Sequence, residues 1–365
     1  MKRQRHSRDG GRRFAPRFRG LGPVLVSLLL ATASYGDNVY WTGAGGTNDW
    51  SDAGNWFVKS GDRVPGPGDY VFFDGGAGTN IVDENFIISL LRYLGNGVHT
   101  TQVPVGRQLQ VADLQVEVGR PGADNGATVT WTGGGTVVVG TPGAGRSLSV
   151  GYNNTSDAAN TNMISERVFI ARGVNTTGVV NMNGGLFAAK SVSMGAGGTF
   201  HFNDGRLAVN EFVTYGRVGT LEQEGGTLAP GFSRTETSLA GRSALYGNYQ
   251  LNAGGTLEIE LFGNEPGTEY DQLLVWGAVN LAGGALDVKL NFEPLVGDLF
   301  TIIDNDLADS ILGQFAGLSE LGTLERTYLD STYKFQISYC SFAAGNDVVL
   351  KLVEKIGGGV PVMIP

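Results

Sequence analysis

Short runs of alternating apolar and polar residues dominate the chain from about residue 108 to residue 353. The clearest runs are 257–261 and 286–292, where every second residue is apolar and those between are mostly charged or polar. A two-residue period of this kind predicts β-strands with one buried face and one face in water. We therefore expect this region to be almost entirely β.

A glycine pair, or a single glycine, recurs inside these runs, with its last glycine at positions 185, 205, 226, 255 and 284. The steps of 20, 21, 29 and 29 residues are typical of stacked structural units. Because glycine costs about 0.5–1 kcal/mol in the interior of a strand, we place these glycines at corners. Two geometries fit: hairpin turns of an antiparallel meander or sandwich, or corners of parallel solenoid coils.

Three local patterns add detail. The apolar residues of 84–96 make this segment the best helix candidate, with a buried strand as the alternative. The alternation of 109–118 shifts phase at Ala112-Asp113, which predicts a bend or bulge. Residues 153–162 are rich in Asn, Thr, Ser and Asp, which predicts a surface loop.

Three of the five tryptophans, Trp41, Trp50 and Trp56, lie within 16 residues near the start of the β region. Large aromatic side chains can cover the open end of a stacked sheet, which makes residues 37–107 a candidate N-terminal cap. Exposed indoles can instead contact carbohydrate. The sequence leaves both interpretations open, and we favour the cap.

Residues 1–36 have the pattern of a secretory signal peptide. Eight Lys or Arg precede the apolar run 24–30, and small residues follow at Ala31 and Ala33. The run is shorter than the ~20 residues that a membrane-spanning helix needs. We expect an exported protein, extracellular or at the cell surface, with no transmembrane segment in its mature chain.

The charge balance narrows the partners. The signal segment holds eight of the 26 basic and one of the 35 acidic residues, so the remaining chain has a net charge of −16. Such a charge opposes binding to nucleic acid and to anionic lipid. Extracellular polysaccharide or cell-envelope components remain as candidate partners.

The sequence contains few residues that could bind a metal ion or react as a thiol. Cys340 is the only cysteine, so no intrachain disulfide forms, and only His99 and His201 follow the signal segment. We expect no cofactor, and Cys340 is expected to be an ordinary strand or turn residue. Calcium is the one candidate ion, with Asp304-Asn305-Asp306 and nearby Asp309 as its candidate ligands.

The sequence contains no nucleophile elbow, zinc-protease motif or phosphate-binding loop. The one enzymatic candidate is a polysaccharide lyase or glycosidase, which needs paired carboxylates about 5–10 Å apart. Glu258 and Glu260 lie two residues apart on one strand, about 7 Å. Solvated glutamates on a half-buried strand have the same spacing, and we expect no catalytic activity.

Several motifs together resemble exported bacterial proteins that carry autotransporter-associated β-strand repeats. They comprise the Trp-rich opening with Asn55-Trp56, then Pro67-Gly68-Asp69, 226–231, Tyr270-Asp271-Gln272-Leu273 with Gly277, and the closing segments 335–339 and 346–350. The resemblance covers most of residues 37–353. It implies a right-handed parallel β-helix that forms a passenger-like surface protein without shared catalytic residues.

The expected organisation has four parts: a signal peptide (1–36), a Trp-rich capping segment (37–107), a β-solenoid with glycine corners (108–353) and a short tail (354–365). The expected function is that of a structural or adhesin-like surface protein. The alternative is a β-helix protein that binds or degrades polysaccharide.

Overall fold

The computed structural model describes residues 36–74, 76–95, 97–116, 127–140, 148–150, 154–158, 161–171, 176–232, 240–306, 309–342 and 345–357. These residues belong to one compact unit, Tyr35–Pro365. Residues 1–35 of the predicted signal peptide and residues 358–365 of the predicted tail lie outside the described residues. No helix in the described ranges has the length and apolar character needed to cross a membrane.

The protein is all-β, and among the described residues its only helical turns are two three-residue 3-10 turns. The strands in chain order are β1 Asn38–Trp41, β2 Trp56–Val58, β3 Tyr70–Asp74, β4 Ala77–Ile81, β5 Phe86–Leu94, β6 Val98–Gln102, β7 Gln108–Val116, β8 Thr128–Thr132, β9 Thr136–Val139, β10 Leu148–Val150, β11 Asn154–Ala158, β12 Asn162–Ile170, β13 Gly178–Met194, β14 Gly198–Val213, β15 Thr220–Pro230, β16 Arg242–Tyr246, β17 Asn248–Leu261, β18 Gln272–Val275, β19 Val279–Ala282, β20 Ala285–Leu290, β21 Leu299–Asn305, β22 Leu312–Gln314, β23 Thr323–Tyr328, β24 Ser331–Ser338 and β25 Val348–Gly357.

Most strand pairs are parallel, and they form three ladders. The first ladder joins a row of buried apolar residues: Val39, Val71, Leu91, Leu114, Leu148, Val168, Val192, Phe212, Leu245 and Val275. Parallel strands need their backbone groups satisfied on both edges, and each rung supplies those groups to the next. The result is a long core with an apolar interior.

The second and third ladders are also built from successive parallel strands. A row of the second ladder runs through Asn80, Thr101, Trp131, Ala158, Met182, Phe202, Gln223 and Leu251. A row of the third runs through Phe86, Leu109, Val137, Met163, Phe187, Leu207, Leu228, Leu257 and Leu286. A long, mostly parallel sheet of this kind is compatible with a β-helix.

The glycine repeat sets the register of the third ladder. The residues that follow the last glycine of each repeat are paired one with the next: Leu186, Arg206, Thr227, Thr256 and Ala285. These pairs are parallel, so the glycine pairs are not hairpin turns and the antiparallel alternative is wrong for this region.

Gly226 shows why glycine is needed at these bends. Its φ is +68°, a left-handed conformation that side chains disfavour. A Cβ at this position would lie 2.5 Å from the carbonyl oxygen of Gly205 on the neighbouring strand. The buried Gln223 side chain holds the same bend by donating to the carbonyl oxygens of Gly226 (2.9 Å) and Thr256 (3.1 Å).

Two of the local expectations are corrected. The helix candidate 84–96 contains strand β5, because its buried residues alternate and its backbone pairs with β3 and β7. The predicted loop 153–162 contains strand β11, whose backbone is paired on one edge with β8 and on the other with β13. Pairing on both edges outweighs the low strand propensity of its polar residues.

The phase shift at Ala112-Asp113 is confirmed in the burial of β7, where both residues are half-buried between buried neighbours. No residue is inserted, however, because the pairing with β5 keeps its register across this point. The shift is therefore a bend shared by adjacent strands.

Antiparallel strands occur at both ends of the first ladder. β2 pairs with β1 at one end, and β25 pairs with β21 at the other. β23, β24 and β25 form an antiparallel sheet over residues 323–357, within the segments expected to be solenoid and tail. Parallel pairing likewise begins before residue 108, since β1, β3 and β5 already belong to the first ladder.

Candidate functional site

The tryptophan cluster lies at the start of the first ladder. The Trp50 and Trp56 side chains are buried, and their rings meet edge to face at 5.2 Å. Trp50 Nε1 donates to Asn80 Oδ1, and Trp56 Nε1 donates to the Trp50 carbonyl oxygen, both at 2.8 Å. Buried and satisfied indoles fit the cap interpretation, and these two offer no face to a sugar.

Trp41 is only half-buried. It stacks on Phe73 at 5.5 Å and borders a groove of about 370 Å³ that also contains His99 and residues 76–79. His99 is buried, and its Nε2 atom has no hydrogen-bond partner among the residues that the structure describes. Burial lowers the pKa of this imidazole, so it is neutral at pH 7. Of the three candidate carbohydrate contacts, Trp41 alone lies beside open space.

Asp69, from the Pro67-Gly68-Asp69 motif, is the polar anchor of this region. Its carboxylate accepts hydrogen bonds from the backbone N–H groups of Asp37 (3.0 Å) and Gly66 (2.7 Å) and from the Arg63 guanidinium. Burial opposes its ionisation, but Arg63 and the two backbone donors outweigh burial and lower the pKa of Asp69. The motif is thus explained by structure.

A second set of carboxylates lies beside strand β17. Arg206 donates to Glu258 Oε1 at 2.6 Å, joining residues 52 positions apart in the sequence. Glu260, on the same strand, is only 5% exposed, and burial followed by the charge of Glu258 raises the pKa of its carboxyl group. Two adjacent carboxyl groups therefore differ in environment: one paired with a cation and one that favours its proton.

Asp271 completes this carboxylate cluster of Glu258, Glu260 and Asp271. It accepts hydrogen bonds from the backbone N–H groups of Gly241 (2.7 Å) and Glu260 (2.9 Å). Burial raises the pKa of Asp271 to about 8; the two hydrogen bonds oppose the shift, and nearby Glu260 and Glu258 add to it. Asp271 thus ties β17 to the segment before β16.

The cluster has the electrostatics of an acid–base pair but also a structural explanation. General acid catalysis uses a carboxyl group whose pKa is raised, as that of Glu260 is, with a second carboxyl group nearby, as Glu258 is. A substrate would also need a cleft. Neither the groove beside Trp41 nor a second groove beside β14 and β15, described below, contains these residues. The contacts of Arg206 with Glu258 and of Asp271 with the Glu260 backbone link β17 to β14 and to the segment before β18.

The calcium candidates show a different arrangement. Asn305 is buried: its Nδ2 donates to the Asp309 carbonyl oxygen at 2.8 Å, and its backbone N–H donates to Asp347 Oδ1 at 3.0 Å. Burial raises the pKa values of Asp304 and Asp306. In the described ranges, no three His, Cys, Asp or Glu side chains are grouped so as to hold a metal ion.

A groove of about 380 Å³ lies on the outer side of the second ladder. Thr199, His201, Glu222 and Glu224 project into it from β14 and β15, and exposed Tyr215 borders it. Alternation along both strands turns these polar side chains outward while their neighbours are buried. Hydroxyl, carboxylate and aromatic groups of this kind suit a hydroxyl-rich ligand.

Cys340 lies in a bend after β24 and is exposed and free. Its Sγ lies 3.5 Å from Ser338 Oγ and from Glu320 Oε1. It is a turn residue, one of the two positions expected.

Sequence reasoning found Glu258 and Glu260 but missed Arg206, Asp271 and the groove position of His99. A signal for Arg206 was present: aligned on its glycines, the repeat places Arg206 in the row of Thr256, two residues from Glu258. Asp271 lies in the Tyr270-Asp271-Gln272-Leu273 motif, for which the sequence predicted no role. No signal indicated that His99 would lack a partner.

Comparison with protein-family models, with curated proteins and with solved structures finds no match for this chain.

Proposed function

We propose that this chain is an exported structural or adhesin-like surface protein built on a right-handed parallel β-helix, related to the autotransporter-associated β-strand repeat proteins. The observation that carries the proposal is the set of three parallel ladders, each extending from the tryptophan-rich region to beyond residue 280. Such scaffolds present long outer surfaces and serve binding or structural roles.

The order in which the chain visits the ladders supports coiling. Strand β13 contributes its first residues to the second ladder, its middle to the third and its last to the first. Strand β14 then repeats this order in register. One coil thus takes 20 residues here, which agrees with the shortest glycine step.

Export and surface location are supported by the N-terminal sequence. A basic segment, a short apolar run and small residues are the features of a secretory signal. The low cysteine content and the net charge of −16 beyond it are consistent with an acidic protein outside the cell.

A polysaccharide-binding role is the second candidate. The groove of Thr199, His201, Glu222 and Glu224 favours it, because it joins polar groups from successive rungs with the exposed ring of Tyr215. Binding would then use outward faces rather than an enclosed pocket.

The test against an enzyme is incubation of the mature protein with a panel of polysaccharides, with and without calcium. We expect no shortening of any chain, measured by size-exclusion chromatography and by newly formed reducing or unsaturated ends. Depolymerisation that disappears in the Glu258→Gln/Glu260→Gln variant would contradict the structural proposal.

The surface location and the binding role need separate measurements. Protease treatment of intact producing cells is expected to remove the protein from the surface fraction. Binding to the same panel, measured by affinity electrophoresis, should weaken in Tyr215→Ala but not in Tyr70→Ala, an exposed tyrosine outside the groove. Retention of the protein inside cells would contradict export.

A further inference from the structure

The two ends of the second ladder differ from those of the first. β2 and β25 cover the ends of the first ladder by antiparallel pairing. The second ladder begins at β4 and ends at β22, and within the described ranges each has a single strand partner, β6 and β19 respectively. One edge of each terminal strand is therefore open over part of its length.

At β4 the open edge faces the groove beside Trp41. Ile81 is bridged to Asp49, but Ala77, Gly78 and Thr79 are exposed. Among the described residues, a Cβ on Gly78 would meet no atom within 4 Å, so space is present above this position. His99, paired with Gly78 on the next strand, also borders this groove, although its Nε2 atom is buried.

At β22 the open edge is equally short. Its three residues, Leu312, Gly313 and Gln314, are all exposed, and the Leu312 side chain is 58% exposed. Exposed strand edges with apolar residues and no charge are the edges on which further strands add. The described residues leave more than half of Leu312 uncovered.

We propose that copies of this protein associate head to tail, with β22 of one copy adding in parallel to the open edge of β4 of the next. The inference rests on the parallel stacking proposed above. Both edges belong to the same ladder, each offers three exposed residues, and addition in parallel continues that ladder in its own direction. The contact is heterologous and repeats, so association is open-ended.

The occupant of the groove is therefore a second copy rather than an unrelated peptide. The exposed edge at Ala77, Gly78 and Thr79 has room for a strand of limited length, and β22 supplies one that ends a ladder of the same polarity. Because only three residues pair, the contact is weak between free molecules and is strengthened by crowding on a surface.

The charge of the protein predicts how the contact responds to salt. Beyond the predicted signal segment each copy has a net charge of −16, and Asp74, three residues before β4, is exposed. Carboxylates brought together across the contact repel each other, and salt screens that repulsion. Head-to-tail association is therefore expected to strengthen as salt rises.

The experiment is sedimentation velocity of the mature protein over a wide concentration range, at low and high salt. The wild type is expected to show a mass that rises with concentration, more strongly at high salt. Thr79→Asp and Leu312→Asp should each stay monomeric, because each adds a like charge at one edge. Leu329→Asp, at an even more exposed apolar position between β23 and β24, should associate as the wild type does.

Mixing the two blocked variants gives the sharpest test. Thr79→Asp retains β22 and Leu312→Asp retains β4, so an equimolar mixture is expected to form dimers that grow no further. Ala77→Asp and Gln314→Asp replace either variant whose melting temperature differs from that of the wild type. A monomeric wild type at every concentration, or a mixture no larger than its components, would overturn the proposal.

Failure here is distinguishable from failure of the proposed fold. An intact parallel stack, shown by cross-linking between rungs inside one chain, together with a strictly monomeric protein would reject the head-to-tail contact alone.

Discussion

Asp69 and Asp271 both link backbone segments through hydrogen bonds, but the pKa of Asp69 is lowered and the pKa of Asp271 is raised. Each carboxyl group accepts two backbone N–H groups and so holds together segments far apart in the sequence. Asp69 also has the Arg63 guanidinium, with both of its oxygens engaged. Asp271 has Glu260 and Glu258 as its charged neighbours instead.

The difference teaches that hydrogen bonds alone do not decide the ionisation of a buried carboxyl group. The pKa of Asp69 is lowered, so its contribution to stability is present above its ordinary pKa of 3.8 and is lost as the pH falls. The pKa of Asp271 is raised to about 8, so its contribution is present at low pH and is lost as the pH rises from about 4 to about 8. The two regions therefore respond to pH in opposite directions.

The largest effect is expected for Asp69→Ala. The substitution leaves two backbone N–H donors without their acceptor and removes one of the two carboxylates that Arg63 contacts, Asp37 being the other. It should cost about 2–4 kcal/mol in the free energy of unfolding at pH 7. The neighbouring exposed Asp62→Ala is the control and should change stability little. Urea unfolding measures both, and equal losses would contradict the anchoring role of Asp69.

A smaller effect is expected for Asp271→Asn. At pH 5 the amide N–H₂ of Asn faces a backbone N–H group that donates to the carboxyl group of Asp271 in the wild type. Because two donors then face each other, the free energy of unfolding should fall by about 1–3 kcal/mol. The wild type should lose stability between pH 5 and pH 8 as Asp271 ionises, and the variant should lose less. Thermal unfolding across this range tests the raised pKa: a gap between the two proteins that widens with pH contradicts it.

The smallest effect is expected for Glu260→Gln. Burial and Glu258 raise the pKa of Glu260, so its ionisation weakens the fold as the pH rises. The variant should match the wild type near pH 4 and melt slightly higher at pH 8. Glu258→Gln, which removes the partner of Arg206, should instead melt lower at pH 8. If the stability of Glu260→Gln relative to the wild type is lower at pH 8 than at pH 4, the raised pKa of Glu260 is contradicted.

Much of the parallel stack follows from two sequence features. The apolar alternation predicted strands with one buried face, and the glycine spacing predicted stacked units while leaving hairpin turns and parallel coils open. The structure pairs Leu186, Arg206, Thr227 and Thr256, which follow the glycines, in parallel. Both features are local, and stacking repeats them without long-range information.

The misses have physical reasons. Strand β11 has a polar sequence with no strand pattern of its own. It is a strand because its backbone pairs with β8 and β13, and that pairing cannot be predicted from residues 154–158 alone. The contact of Arg206 with Glu258 spans two coils, and its discovery requires the register. The antiparallel sheet of β23–β25 has the same alternation as the parallel strands, because periodicity reports burial and not strand direction.

The central claim is that strands on successive glycine repeats stack in parallel. Thr227 and Thr256 are Cα partners on adjacent strands, about 4.8 Å apart, a spacing that permits a disulfide. Ala253 and Thr256 flank Gly254-Gly255 on the single strand β17 and would be neighbours only across a hairpin turn. In a Cys340→Ser background, oxidised Thr227→Cys/Thr256→Cys should form an intrachain disulfide, detected by mass spectrometry, while Ala253→Cys/Thr256→Cys should stay reduced. The reverse pattern would contradict the parallel stack.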